Sequence, residues 1–171
     1  YELADHSVLS SPAYLARLNA PTPWSTRLMP HHRHMVRSQC HVLDSRGASM
    51  AAHLLAIRLS PAPGQKETLR AALRALAGQL VVQPGLVGLH LLRHELPPIA
   101  QTTEQQLRGL NDRYADWVLL ACGYDAAMAA LSEDALGDAQ LTAMGAAPGA
   151  ERGRYTLAYS ALPEDVGDVV R

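Results

Sequence analysis

The residues of this chain best suited to chemistry are arginines and histidines that alternate with apolar residues in several segments. The candidates are Arg37, Gln39, His41, Arg58, His90 and Arg154. A histidine can act as a general base near neutral pH, and an arginine can bind a carboxylate or stabilise an enolate-like oxyanion. His90 or His41 is therefore a candidate base, and Arg58 or Arg37 a candidate oxyanion partner, in a site for an anionic or carbonyl-bearing small molecule.

Strand alternation decides whether these side chains can meet. In a strand from Met35 to Asp44, the side chains of Arg37, Gln39 and His41 would share one face. Burying such a row is costly unless its members bind a ligand, water or one another. We therefore expect this face to look into a space between two sheets, together with the polar candidates of the later strands. The alternative is that some of them cap the open ends of a barrel in water.

A metal site is the second chemistry that the histidines suggest. His31, His32 and His34 precede His41 in one short segment. Adjacent histidines in an extended segment point in opposite directions, whereas a zinc site needs three or four converging ligands. We predict a solvated segment without a metal, and we predict no cofactor. Heme binding is a weaker third reading, because it would require a histidine that faces an apolar cavity.

Two further residue types are weaker candidates. Trp24, between proline and arginine residues, either stacks on a ligand at the mouth of a barrel or anchors its segment against the core. Cys40 and Cys122 lie in apolar surroundings, where the pKa of a thiol rises, so we do not expect nucleophilic roles. The Gln/Thr-rich residues 100–106 form either a lid or a mobile loop.

Composition restricts the partners. The chain has 171 residues, 48% of them hydrophobic, and 15 Lys+Arg against 16 Asp+Glu give a net charge of -1. No basic stripe would concentrate a polyanion, so nucleic acid is not predicted as a partner. No apolar run reaches membrane-spanning length, and two distant cysteines outside any CxxC pair favour the reducing cytoplasm.

The residues after 50 predict a β-α-β-β-α-β order. The predicted strands are His53–Ser60, Leu86–Glu95, Trp117–Gly123 and Arg152–Ala161. One predicted helix runs from Lys66 to Leu80, and the second opens at Asp125–Leu131 and extends as far as Met144. This order is the split βαβ, or ferredoxin-like, arrangement. Its uncovered sheet face would carry Leu92, Trp117 and Leu119, and would need a second sheet as partner.

Residues 1–49 repeat the second half of that unit. A helix over Ser11–Asn19 is followed by an irregular segment, Thr22–His34, a strand, Met35–Asp44, and a linker at 45–49. The same half-unit occurs at the end of the chain, which indicates a tandem of two units. We expect residues 50–171 to be a complete second unit, and roughly sixty or more residues of the first unit to be missing upstream.

Residues 52–161 resemble the dimeric α+β barrel superfamily. The run from Ser11 to Trp24 is similar to bacterial members that carry two such units. The superfamily includes cofactor-independent monooxygenases, EthD-like proteins, heme-degrading enzymes, muconolactone isomerases and stress-response proteins. The resemblance implies an α+β fold in which two sheets pack as a barrel, either in a homodimer or within one chain, but it transfers no catalytic motif.

Two functions therefore stay open. The first is a small-molecule enzyme, a cofactor-independent oxygenase or isomerase acting on an aromatic or polyketide-like compound. The second is a non-catalytic binding or assembly module, in which the barrel serves dimerisation. An enclosed cavity in which Arg58 and His90 converge would favour the enzyme, and a filled barrel would favour the module.

Overall fold

All described strands belong to one antiparallel sheet. The computed structural model describes residues 3–48, 50–109, 112–124 and 135–160. The strands are β1 (Cys40–Gly47), β2 (His53–Leu59), β3 (Leu86–His94), β4 (Trp117–Gly123) and β5 (Glu151–Thr156). Their order across the sheet is β1-β3-β4-β2-β5, with antiparallel pairing throughout. The mixed α+β class is therefore confirmed.

Five α-helices are described besides two short 3-10 turns at His6–Ser10 and Met29–His31. The helices are α1 (Pro12–Asn19), α2 (Pro23–Leu28), α3 (Lys66–Leu80), α4 (Thr103–Leu107) and α5 (Asp138–Ala143). The helix predicted to open at Asp125–Leu131 falls at residues outside the described ranges. Helix α5 lies in the predicted extension toward Met144.

The N-terminal helices begin at matching capping sequences. The Ser11 hydroxyl accepts a hydrogen bond from the Tyr14 amide at 3.3 Å, and Pro12 occupies the first turn, as predicted. The Thr22 hydroxyl accepts one from the Ser25 amide at 3.1 Å, and Pro23 follows it. The prediction of an irregular segment at Thr22–His34 is therefore wrong for α2. Like α1, this helix has an N-cap residue with a side-chain hydroxyl, followed by proline.

The main core lies between the sheet and the helices α3 and α5. It contains Leu55, Ile57 and Leu59 of β2, Leu89 and Leu91 of β3, Trp117, Leu119 and Ala121 of β4, Leu69, Leu73, Ala77 and Leu80 of α3, and Leu141 of α5. Because Trp117 and Leu119 are only 2% exposed in this core, the prediction that they lie on the uncovered face is wrong. Leu92 does lie on the other face, since strand side chains alternate.

The strand bounds differ most from prediction at β1. The predicted strand Met35–Asp44 begins only at Cys40, because Val36 forms an isolated parallel bridge with Arg113 instead. The predicted linker after Asp44 supplies the last strand residues up to Gly47. Strand β5 ends at Thr156, earlier than predicted, and Ala161 lies outside the described ranges.

Strand β1 is the outer strand beside β3. A bulge between Val42 and Asp44 interrupts its register. Asp44 connects this edge to helix α3, because its carboxylate accepts from Arg70 Nε at 3.2 Å and lies 3.3 Å from Arg74 Nε. The residues assigned to a first unit thus extend the described sheet, and the two-sheet barrel and the upstream half stay predictions.

The N-terminal helices pack at one end of the sheet. Helix α1 packs against α4, where the Thr103 amide donates to Asn19 Oδ1 at 3.0 Å. Thr102, only 1% exposed, and Gln105 form a capping box at the start of α4. The segment 100–106 therefore contains a capped helix packed against α1. Its predicted role as a lid stays a prediction.

Candidate functional site

The candidate site lies on the sheet face opposite α3 and α5. Register pairs place Ser45, His90, Leu120, Ala56 and Gly153 in one row across all five strands. We call this side the open face, because among the described helices α3 and α5 contribute to the core on the other side.

The open face is largely apolar on both sides of that row. One adjacent row contains Val42, Leu92, Val118, Arg58 and Glu151. The other adjacent row contains Gly47, Gly88, Cys122, Leu54 and Tyr155. Val42 is 60% exposed and Tyr155 is 57% exposed, so apolar and aromatic surface is available for contact.

His90 is the buried polar residue of the open face. Its side chain lies 2.7 Å from the Ser45 hydroxyl, through Nδ1, and 3.2 Å from the Ala48 carbonyl oxygen, through Nε2. The residue is 7% exposed, whereas Ser45 is exposed. The pair thus joins an exposed serine to a buried histidine.

The two partners determine the neutral tautomer of His90. A backbone carbonyl can only accept a hydrogen bond, so Nε2 carries the proton and donates it to Ala48. The unprotonated Nδ1 then accepts the hydroxyl proton of Ser45. His90 was predicted as a candidate base for a substrate. In this geometry the first group from which it can take a proton is the Ser45 hydroxyl.

Arg58 shares the open face with His90 but lies away from it. Their positions are two strands and one row apart, roughly 12 Å. Arg58 NH2 lies 2.9 Å from Glu151 Oε2 in the same row. The two side chains therefore do not converge, since the Arg58 guanidinium pairs with a carboxylate at the other side of the face.

The predicted side of β1 is also reversed. Cross-strand pairing puts His41 opposite Arg93, on the side of the core, while Cys40 and Val42 lie on the open face. The His41 ring stacks on His6 with centroids 4.0 Å apart, and its Nε2 lies 3.6 Å from Glu95. The hydrogen bond from Arg93 lowers the pKa of the Glu95 carboxyl. His41 and His90 therefore cannot act on one ligand across the open face.

The remaining arginine, glutamine and tryptophan candidates lie outside the row of His90. Arg37 and Gln39 precede β1; Arg37 NH2 donates to the Tyr14 hydroxyl at 3.3 Å, and the backbone N–H of Gln39 donates to His94 Nδ1 at 3.1 Å. Arg154 pairs with Leu55, which puts it on the core side of β5. Trp24 on α2 is 66% exposed, so it does not anchor its segment in the core, and its stacking on a ligand stays a prediction.

Ser45 is the site residue that sequence reasoning missed. Small residues and glycine favour turns, so the sequence predicts a linker at Ser45-Arg46-Gly47, whereas the structure includes these residues in β1. The glycines are required here by close packing of β1 on β3: a Cβ on Gly47 would lie 2.1 Å from the Val87 carbonyl oxygen. The available signal was that glycine in a strand also marks a close approach of two backbones.

Burial disfavours the thiolate form of both described cysteines. Burial raises the pKa of the Cys40 thiol to about 11, and burial also raises the pKa of Cys122. No group of three or more histidine, cysteine or carboxylate side chains is placed to hold a metal within the described ranges.

The raised pKa of Cys40 predicts slow alkylation. A shift from 9.0 to about 11 leaves about a hundredfold less thiolate at pH 8, because a raised pKa disfavours the anion. In a Cys122→Ser variant, the rate of iodoacetamide modification should rise about tenfold per pH unit between pH 8 and 10. The urea-unfolded variant is the control and should react at the ordinary thiol rate. Equal rates for the folded and unfolded chains at pH 8 would contradict the assignment.

Fold and site together define an α+β protein whose antiparallel sheet presents an open apolar face with a serine–histidine pair. No family model, curated protein or solved structure matches the chain. Among the helices that the structure describes, none has both the length and the apolar character needed to cross a bilayer.

Proposed function

We propose that the chain binds a small carbonyl-bearing or anionic molecule on the open face, next to Ser45 and His90. The observation that supports this proposal is a buried histidine, hydrogen-bonded to an exposed serine at 2.7 Å, within an otherwise apolar face. Apolar surface with a small number of well-placed polar groups is the usual composition of a small-molecule site. An aromatic or polyketide-like body would lie on the surrounding side chains, and its oxygen atom would meet the Ser45 hydroxyl.

The pair could also carry out proton transfer. The Ser45 oxygen would accept a proton from the ligand while the Ser45 hydroxyl proton passes to His90 Nδ1, and the Ala48 carbonyl oxygen would accept a hydrogen bond from Nε2 of the protonated ring. This chemistry fits a cofactor-independent isomerase or oxygenase acting on an enolisable compound. Arg58 would contribute to an oxyanion only if its pairing with Glu151 were broken, so it is a secondary candidate.

A second sheet would close the site. The order β3-β4-β2-β5, with α3 between β2 and β3, supports the ferredoxin-like unit, and β1 shows how a further strand joins its edge. A second copy, or the other half of a tandem, would cover the open face and form the α+β barrel.

Ligand binding can be tested with 1,4-dihydroxy-2-naphthoate, an aromatic carboxylate. Titration followed by probe fluorescence should show saturable binding to the wild-type chain. Ser45→Ala and His90→Gln should each weaken it about tenfold, the effect of one lost hydrogen bond to a charged or strongly polar group. His32→Gln, a change at an exposed histidine, is the control. Wild-type affinity in both site variants would reject this site.

The alternative function is an assembly module without a ligand. It is favoured by the exposure of Val42 and Tyr155 on the same face that carries Leu120. In this case sedimentation should show a dimer that dissociates in Leu120→Glu, since a carboxylate cannot be buried unpaired between two sheets. Val82→Glu, at a position 79% exposed after α3, is the matched control. A wild-type chain that stays monomeric at high concentration would count against assembly.

A further inference from the structure

A groove beside α3 is separate from the open face. It is shallow and wide open to solvent, has a volume of about 610 Å³ and lies between helix α3 and the edge strand β1. Its charged lining comprises Arg46 from β1 and Arg70, Arg74 and Glu67 from α3. Arg46 pairs with Leu89 in register, which puts it on the core side of β1 and away from Ser45.

The arginines are only partly neutralised. Asp44, whose side chain is 14% exposed, contacts the Nε atoms of both Arg70 and Arg74 at 3.2 and 3.3 Å. Arg70 also donates from NH2 to the Leu43 carbonyl oxygen at 3.1 Å. Arg46 makes no ion pair with any carboxylate of the described residues. Three guanidinium groups against the two carboxylates of Asp44 and Glu67 leave one positive charge in excess.

The ion pairs with Asp44 orient the guanidinium groups of Arg70 and Arg74. Asp44 engages Arg74 through Nε, so the terminal nitrogens of a side chain that is 60% exposed are available to a ligand. Helix positions 70 and 74 are one turn apart and lie on the same side of α3. Ala71, Ala75 and Gly78 line the same groove with small side chains, which leaves room for a bound molecule.

We propose that this groove binds a small polyanion through Arg46 and Arg74, with Arg70 held in place by Asp44. Guanidinium groups recognise phosphate and carboxylate oxygens through paired N–H donors. A ligand with two or more phosphate or carboxylate groups matches the two arginines on different elements. Glu67 at the rim disfavours anions that extend toward the start of α3. This proposal is independent of the function proposed for the open face.

Calorimetric titration with inorganic pyrophosphate, and separately with citrate, tests the proposal at physiological ionic strength. We expect saturable binding of at least one probe. The probe with the higher affinity identifies the ligand class as phosphate or polycarboxylate. Arg46→Gln and Arg74→Gln should each weaken that binding about tenfold. Arg46→Lys should recover only part of the affinity, because an ammonium group lacks the paired donors.

The control is Arg33→Gln, which removes an exposed arginine from the segment before β1. It changes the net charge equally and should leave the affinity unchanged. Circular dichroism spectra should be the same for all variants, since the substituted side chains lie at the surface. Absence of saturable binding to both probes, or an equal loss in Arg33→Gln, would overturn the site, since the remaining attraction would be nonspecific.

Discussion

Replacing Leu119 with alanine is expected to lower the free energy of unfolding by about 3 kcal/mol. Leu119 is 2% exposed on β4, and its register partners are Leu91 on one side and Ile57 on the other. Truncation removes buried apolar surface and leaves a cavity between the sheet and its helices, because packed strands on both sides limit collapse. Urea unfolding followed by circular dichroism measures the change.

Its neighbour Leu120 provides the matched control. Leu120 has the same side chain on the same strand but projects onto the open face, where it is half-buried. We expect Leu120→Ala to cost about 1 kcal/mol, since less apolar surface leaves water on folding. An equal loss in the two variants would mean that the open face is packed as tightly as the core. That outcome would contradict the assignment of an open face for the chain in solution.

Replacing Gly88 with alanine is expected to destabilise the protein by about 2–4 kcal/mol and to displace β1. A Cβ at this position would lie 2.1 Å from the Ala48 carbonyl oxygen and 2.8 Å from that of Arg46. Both atoms belong to the backbone, so no side-chain rotation relieves the overlap. The Ala48 carbonyl oxygen is also the acceptor for His90 Nε2, so the same substitution should disturb the serine–histidine pair.

Two measurements separate these effects. Amide hydrogen exchange should accelerate in β1 of Gly88→Ala more than in β2, and the ¹⁵N signals of the His90 ring should report loss of its fixed tautomer. Gly78→Ala is the control, because its added Cβ would meet no atom within 4 Å beyond its chain neighbours and the nearby backbone of α3. This change should stabilise the helix by about 0.5–1 kcal/mol. A Gly88→Ala variant as stable as Gly78→Ala would show that β1 does not pack as described.

Local patterns were sufficient for α3 and for the positions of β2, β3 and β4. Helix α3 has the predicted bounds, Lys66–Leu80, because its apolar stripe follows the helical period and a proline–glycine turn precedes it. Strand β4 also has the predicted bounds, and the predicted alternation of β2 and β3 assigned Arg58 and His90 to the open face. Neighbouring residues determine these features, so they can be predicted from sequence.

Long-range pairing decided the site. Strand β1 begins at Cys40 and bulges after Val42, and together these features put Ser45 rather than His41 beside His90. Nothing local specifies this register, since a strand with mixed polar and apolar residues on both faces fits either way, and a shift of one residue exchanges the faces. The sequence by itself determined α1, α3 and the presence of β2, β3, β4 and β5, and that His90 faces away from the helices. The tertiary structure decided its partner, because β1 is held by β3 and by α3, which are distant from it in the sequence.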